Sequence, residues 1–122
     1  MKGQEGVDQA LADVRAALGV EAAMVTDRDG RVLASSSRGG VDEDAVGALA
    51  AELLVLSEAG RDGTVRSGRL AVEAMGPFLV AALGQAQAPG DALAAVLAAA
   101  PRVRALIGSL SLDSQEWPHR RG

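Results

Sequence analysis

The run Asp27-Arg28-Asp29-Gly30 is the part of this chain whose residue types come nearest to a chemical site, because two carboxylates one residue apart followed by glycine begin like a calcium-binding loop. Such a loop needs a bidentate acidic ligand at its twelfth position. Counted from Asp27 that position is Arg38, so the pattern reads instead as a tight turn. Ser35, Ser36, Ser37, Ser109, Ser111 and Ser114 offer hydroxyls, but none sits in the strained Gly-x-Ser-x-Gly elbow that exposes a nucleophile. His119 is the only histidine and lies near the end of the chain beside Pro118, which gives no basis for histidine acid–base work or a multi-histidine metal centre. No glycine-rich segment carries the lysine and hydroxyl of a phosphate loop. Neither a catalytic, a cofactor nor a metal site is expected.

Composition points the same way. Aromatic residues are 2% of the 122, so a deep aromatic-lined ligand pocket is not expected, and the 48% apolar content must build its core from Ala, Leu and Val. Net charge is -4, and the eleven arginines and one lysine are scattered among acids, which argues against a nucleic-acid partner. The absence of cysteine excludes disulfides and thiolate metal sites and suits a reducing compartment, with the cytoplasm as the expectation. No run approaches the roughly 20 apolar residues of a membrane span, so membrane insertion is not expected. Nor does an apolar signal segment follow Met1.

The elements that position these residues follow from periodicity. Val7, Ala10, Leu11, Val14 and Leu18 recur at helical spacing up to Gly19. Ala22 to Thr26 and Arg31 to Ser35 flank the Asp27–Gly30 turn as a β-hairpin. After a polar loop over 36–40, Asp42, Glu43 and Asp44 cap a helix running to Gly60. Three strands follow, Thr64 to Arg66, Arg69 to Met75 and Phe78 to Leu83, separated by Ser67-Gly68 and Gly76-Pro77. A last helix carries Leu93, Val96, Leu97, Ala100, Val103, Leu106, Ile107 and Leu110 inward, with a kink or break expected near Ala99 to Pro101. Residues 1–112 thus read as one domain and 113–122 as a loose tail containing Trp117. The order is αββαβββα, an α+β domain with a five-stranded antiparallel sheet between one central helix and the two terminal helices. Phe78 to Leu83 and Ala22 to Val25 are apolar enough to be the central strands.

The segment Asp42 to Gly60 is apolar on nearly every side. Val46, Leu49, Ala50, Leu53 and Leu56 make one stripe, while Ala48, Ala51 and Val55 fall opposite it. A helix apolar all round must be covered all round, and a small domain has one sheet to offer. A second protein covers the other side on this reading, through Val46, Ala48, Ala51, Glu52 and Val55, and a second copy of the chain meets the requirement.

The element order and the hairpin Val25-Thr26-Asp27-Arg28-Asp29-Gly30-Arg31-Val32-Leu33-Ala34-Ser35 resemble the Roadblock/dynein-light-chain family and its bacterial MglB-type members, with a weaker likeness in Gly76-Pro77-Phe78-Leu79-Val80-Ala81-Ala82-Leu83. The resemblance spans roughly Val7 to Leu110. It implies a profilin-like fold with strand order 2-1-5-4-3, pairing into a dimer through the central helices and often an edge strand, and binding or regulation of a small Ras-like GTPase. Arg38, Arg61, Arg66 and Arg69 then become a candidate partner surface, since a regulator can present an arginine to a transferring phosphate; solvated edge-strand arginines are the commoner reading. Two other functions stay open: a small-molecule sensor on a profilin-like architecture, and a structural dimerisation adaptor.

Overall fold

The structure, a computed structural model, describes residues 2–57, 63–88 and 90–113. Its elements are α1 (Lys2–Leu18), β1 (Ala22–Asp27), β2 (Val32–Ser37), α2 (Glu43–Ser57), β3 (Thr64–Ser67), β4 (Leu70–Met75), β5 (Phe78–Leu83) and α3 (Asp91–Asp113). The strands form one antiparallel sheet in the order β2-β1-β5-β4-β3, which is the order that the family resemblance implies and places the two apolar runs, β1 and β5, inside it as expected from the residues. The expected closure of α2 at Gly60, and the segment following Asp113, lie outside the described residues.

Alternation along the inner strands divides the core in two. Ala23, Val25, Ala71, Val80 and Ala82 turn to the face covered by Val7, Leu11 and Val14 of α1 and by Ala92, Ala95, Val96, Ala99 and Val103 of α3. Ala22, Met24, Val72, Ala74, Leu79 and Ala81 turn to the face covered by α2. Leucine, valine and alanine make up most of both layers, joined by Met24 and Met75 and by Phe78 packed against one of them. β4 is more deeply buried than its flanking charges suggest, because Ala71, Val72 and Ala74 lie between β3 and β5 with a helix on each side.

Two details of α3 depart from expectation. Leu97 is exposed, and the inward positions fall to alanines on the neighbouring rows. No break occurs at Pro101, which lies within the continuous helix. Pro101 is on the exposed face, so the carbonyl of Leu97 that lacks an amide partner faces water, and the loss is partly made good there. Arg102 Nη2 donates to Asp13 Oδ2 at 3.1 Å and ties α3 to α1. The hydrogen bond from Gln9, followed by that from Arg102, holds the Asp13 carboxyl below its ordinary 3.8. A lowered folded value stabilises above the unfolded one, so this contribution is present at neutral pH and fades as pH falls through the lowered value.

The hairpin turn is built by Asp27, whose Oδ1 accepts from the amides of Asp29 and Arg31, both at 2.9 Å. That carboxylate is thereby committed to the turn. Gly30 follows with φ +90°, and its carbonyl rests directly against Gly47 of α2. A Cβ at Gly30 would come within 2.5 Å of the Gly47 carbonyl oxygen, and a Cβ at Gly47 would strike the Gly30 carbonyl. Both residues are therefore held to glycine by the approach of two backbones. Replacing Gly47 with Ala is expected to lower unfolding stability by about 1–3 kcal/mol in urea titration through overpacking, and a loss under about 0.5 kcal/mol would show the contact to be soft.

Candidate partner interface on the central helix

α2 begins with Asp42 Oδ1 accepting from the Ala45 amide at 3.1 Å, and Glu43 and Asp44 place negative charge in its first turn. Glu43 is further held by Ser37 Oγ, which donates to Oε2 at 2.5 Å and anchors the helix start to β2. From there the helix passes over Gly30 and crosses the sheet to β3 and β4.

The Gly30 contact sets the rotation of the helix. With Gly47 turned to the hairpin, Val46, Ala50 and Leu54 are the fully inward residues, with Ala51 and Leu53 packed at the margins of the same core. Of the five residues expected at a partner contact, Ala48, Glu52 and Val55 face outward, Ala51 is half-buried, and Val46 is inside the monomer with 8% of its surface exposed. Val46 is therefore unavailable to a partner as the helix stands. Conversely, Leu49 and Leu56, assigned from sequence to the inward stripe, point out: Leu49 is 56%, Val55 74% and Leu56 72% exposed. Gly47 is the signal that could have revealed this. A glycine inside an apolar helix costs about 1 kcal/mol against alanine, and a tight backbone contact is one reason to find it there.

Leu49, Glu52, Leu53 and Leu56 form one wall of a shallow groove of about 320 Å³, with Ser67 and Leu70 of the β3–β4 hairpin opposite. The outer edge of the sheet, β3, thus runs beside the apolar face of α2. Helix face, groove and sheet edge make one continuous surface.

The arginines divide differently. Arg38, Arg66 and Arg69 all lie toward one end of the sheet, at the ends of β2, β3 and the start of β4. Arg69 is committed to the fold: Nε donates to the Gly84 carbonyl at 2.8 Å and Nη2 to Glu21 Oε1 at 2.8 Å. Arg66 is exposed and its Nη1 donates to the Gly68 carbonyl across its own turn. Arg38 is exposed, with its amide bonded to the Glu21 carbonyl. Arg61 lies outside the described residues. Among the described residues no cluster of three or more His, Asp or Glu is arranged to hold a metal ion, and no helix is long and apolar enough to cross a membrane.

This architecture is that of a known class. Residues 6–63 match the Roadblock/LC7 domain family. The gliding protein MglB of Thermus thermophilus superposes with TM-score 0.65 at 18% identity, over 88% of this chain and 92% of that one. An MglB in a tetrameric arrangement gives 0.62 at 22% identity, over 88% and 93%. A Roadblock/LC7 domain from Streptomyces avermitilis gives 0.54 at 21%, over 86% and 94%. No curated protein matches the sequence. Residues 6–63 thus carry the Roadblock/LC7 domain match, and the chain as a whole has the fold of the MglB structures on which it superposes.

The rotation of α2 can be checked by paired substitutions. Leu54→Ala should cost about 2–5 kcal/mol by opening a core cavity, and it should do so at every protein concentration. Leu56→Ala should change the stability of the dilute monomer by less than about 0.5 kcal/mol. Comparable losses from the two under dilute conditions would mean that the helix is rotated away from this arrangement.

Proposed function

We propose that this protein is a homodimeric scaffold, acting in the cytoplasm, that binds a small Ras-like GTPase and modulates its hydrolysis without contributing a catalytic group of its own. The observation that carries the proposal is the outward face of α2, where Leu49, Val55 and Leu56 expose three large apolar side chains beside an open sheet edge. Covering each such side chain is worth about 1.5–3 kcal/mol, and a face of this kind on a small domain marks an interaction site. Ala48 and Glu52 lie on the same face, and the small Ala48 permits close approach of a second helix. A two-fold axis near Glu52 pairs this face with its own copy and satisfies both at once. The tetrameric arrangement of one structural neighbour fits a fold that associates with itself.

Pairing also gives the GTPase a platform. An interface of standard size needs about 800 Å² from each side, hard for one small subunit and readily supplied by two. The GTPase reading itself rests on the Roadblock/LC7 match over residues 6–63 and on the likeness in fold to MglB. The tie of Arg69 to Glu21 and Gly84 favours action by positioning, since that guanidinium would have to leave two partners to reach a phosphate.

Val55→Arg and Leu56→Asp are expected to convert the protein to a monomer in sedimentation at micromolar concentration while its circular dichroism is kept. A variant that stays dimeric with both changes would move the interface elsewhere. GTPase binding, assayed with GDP and with a non-hydrolysable GTP analogue, is expected to fall with dimerisation in the same variants. Arg66→Ala should weaken binding at most and leave stimulated hydrolysis intact at saturation; loss of stimulation at unchanged affinity would establish an arginine finger. A dimer that binds no GTPase in either nucleotide state would leave the adaptor reading, or the sensor reading if a small ligand is found.

A further inference from the structure

The opposite border of the sheet carries a second open edge. β2 pairs with β1 on one side only, and no strand covers its other side among the described residues. The Arg38 amide donates to the Glu21 carbonyl of the residue before β1, which sets the alternation of the ladder. Counting back along β2, Ser36 and Ala34 turn their main-chain groups toward β1, in register with Ala23 and Val25, and Ser35 and Ser37 turn theirs outward. The ladder is irregular only between Val25 and Thr26, at the far end of the strand, so Ser35 to Ser37 is a regular stretch of edge.

Edges of this kind are ordinarily blunted by lysine, proline or a bulge within the exposed stretch. Ser35-Ser36-Ser37 has none of these. It borders a groove of about 510 Å³ whose other wall is one face of α1, with Glu5, Asp8, Gln9 and Ala12 lining it opposite Ser35 and Ser36. Arg15, at the inner end, has its Nε on Ser36 Oγ at 3.0 Å, and Arg38 lies past the end of the strand. The wall facing an added strand is therefore acidic through Glu5 and Asp8, and the floor is small and polar.

We propose that this groove is a docking site for an extended segment of a partner protein, bound by strand addition to β2 and selected for basic side chains at alternate positions. Main-chain bonds to Ser35 and Ser37 supply the pairing. Because alternate side chains of a strand share one face, basic residues two apart would both meet the Glu5 and Asp8 wall. The small Ala12 of α1 leaves room for the long stems of Arg or Lys. The site lies on β2, across the sheet from the β3 edge and the α2 face, and does not depend on the dimer or on a GTPase.

The test uses a fluorescein-labelled hexapeptide, Arg-Thr-Arg-Val-Arg-Thr, in fluorescence polarisation with the full chain. It should bind with Kd of about 100 µM or tighter, and its Glu-for-Arg counterpart should not bind. Two further peptides, N-methylated on one or the other alternate set of amides, distinguish pairing from simple charge attraction. One should lose binding and the other keep it, because an added strand directs only every second amide to its neighbour. The double variant Glu5→Lys, Asp8→Lys should weaken binding at least about tenfold. Ser35→Pro, which removes an outward amide and leaves the β1 ladder intact, should weaken it while far-UV circular dichroism stays native. Equal behaviour of the two methylated peptides overturns the proposal, as does binding indifferent to the charge reversal. The methylated pair needs no protein variant, so the test stands even where a substitution fails to fold.

Discussion

The backbone contact between Gly30 and Gly47 is the constraint from which the surface of this molecule follows. A carbonyl of the β1–β2 turn lies where a side chain of α2 would otherwise stand, and the turn and the helix can meet only because neither residue has a Cβ. A helix with apolar residues on all sides has no preferred rotation from hydrophobic burial alone, since several faces would fill the sheet nearly as well. The glycine pair removes that freedom. With Gly47 against the hairpin, Val46, Ala50 and Leu54 go in, and Leu49, Val55 and Leu56 go out.

The rest of the fold supports this arrangement without determining it. The sheet is covered by α1 and α3 on one face and by α2 on the other, so the inner strands β1 and β5 need apolar residues on both faces and have them. Across one end, Arg69 joins the start of β4 to the residue before β1 and to the residue after β5, tying the central strands by side chain as well as by ladder. Its ion pair with Glu21 is partly exposed and adds little by itself; the hydrogen bond to the Gly84 carbonyl is what gives the guanidinium a fixed place. An arginine so placed is part of the frame, whereas Arg66, on the edge strand, is exposed and donates to the Gly68 carbonyl of its own turn.

Two borders of the sheet differ in chemistry. The β3 border meets a helix face rich in leucine and valine, which favours contact by burial of apolar area. The β2 border meets acidic residues and serine, which favours contact by main-chain pairing and charge. The two ends of the sheet therefore present different chemistry to the surroundings.

Element order, the two inner strands, the hairpin turn and the one-helix, two-helix distribution about the sheet are all legible in the sequence, because each rests on local periodicity or turn chemistry: Val7 to Leu18 at helical spacing, Asp27 to Gly30 as a turn, Phe78 to Leu83 without a polar residue. That α2 has a face to spare is legible too, from apolar residues exceeding what one sheet can cover. Which face is not. Periodicity alone groups Leu49 and Leu56 with Val46 and Ala50 in one stripe, and the contact that turns the two leucines outward joins Gly47 to Gly30, far from it along the chain. Pro101 likewise reads as a break because the cost of a missing amide is visible in the sequence, whereas its position on the water-facing side of α3, which lessens that cost, is not. Local patterns state how much apolar surface an element carries and where the chain turns; the direction in which that surface points depends on contacts between residues distant in sequence, and only the assembled tertiary structure decides it.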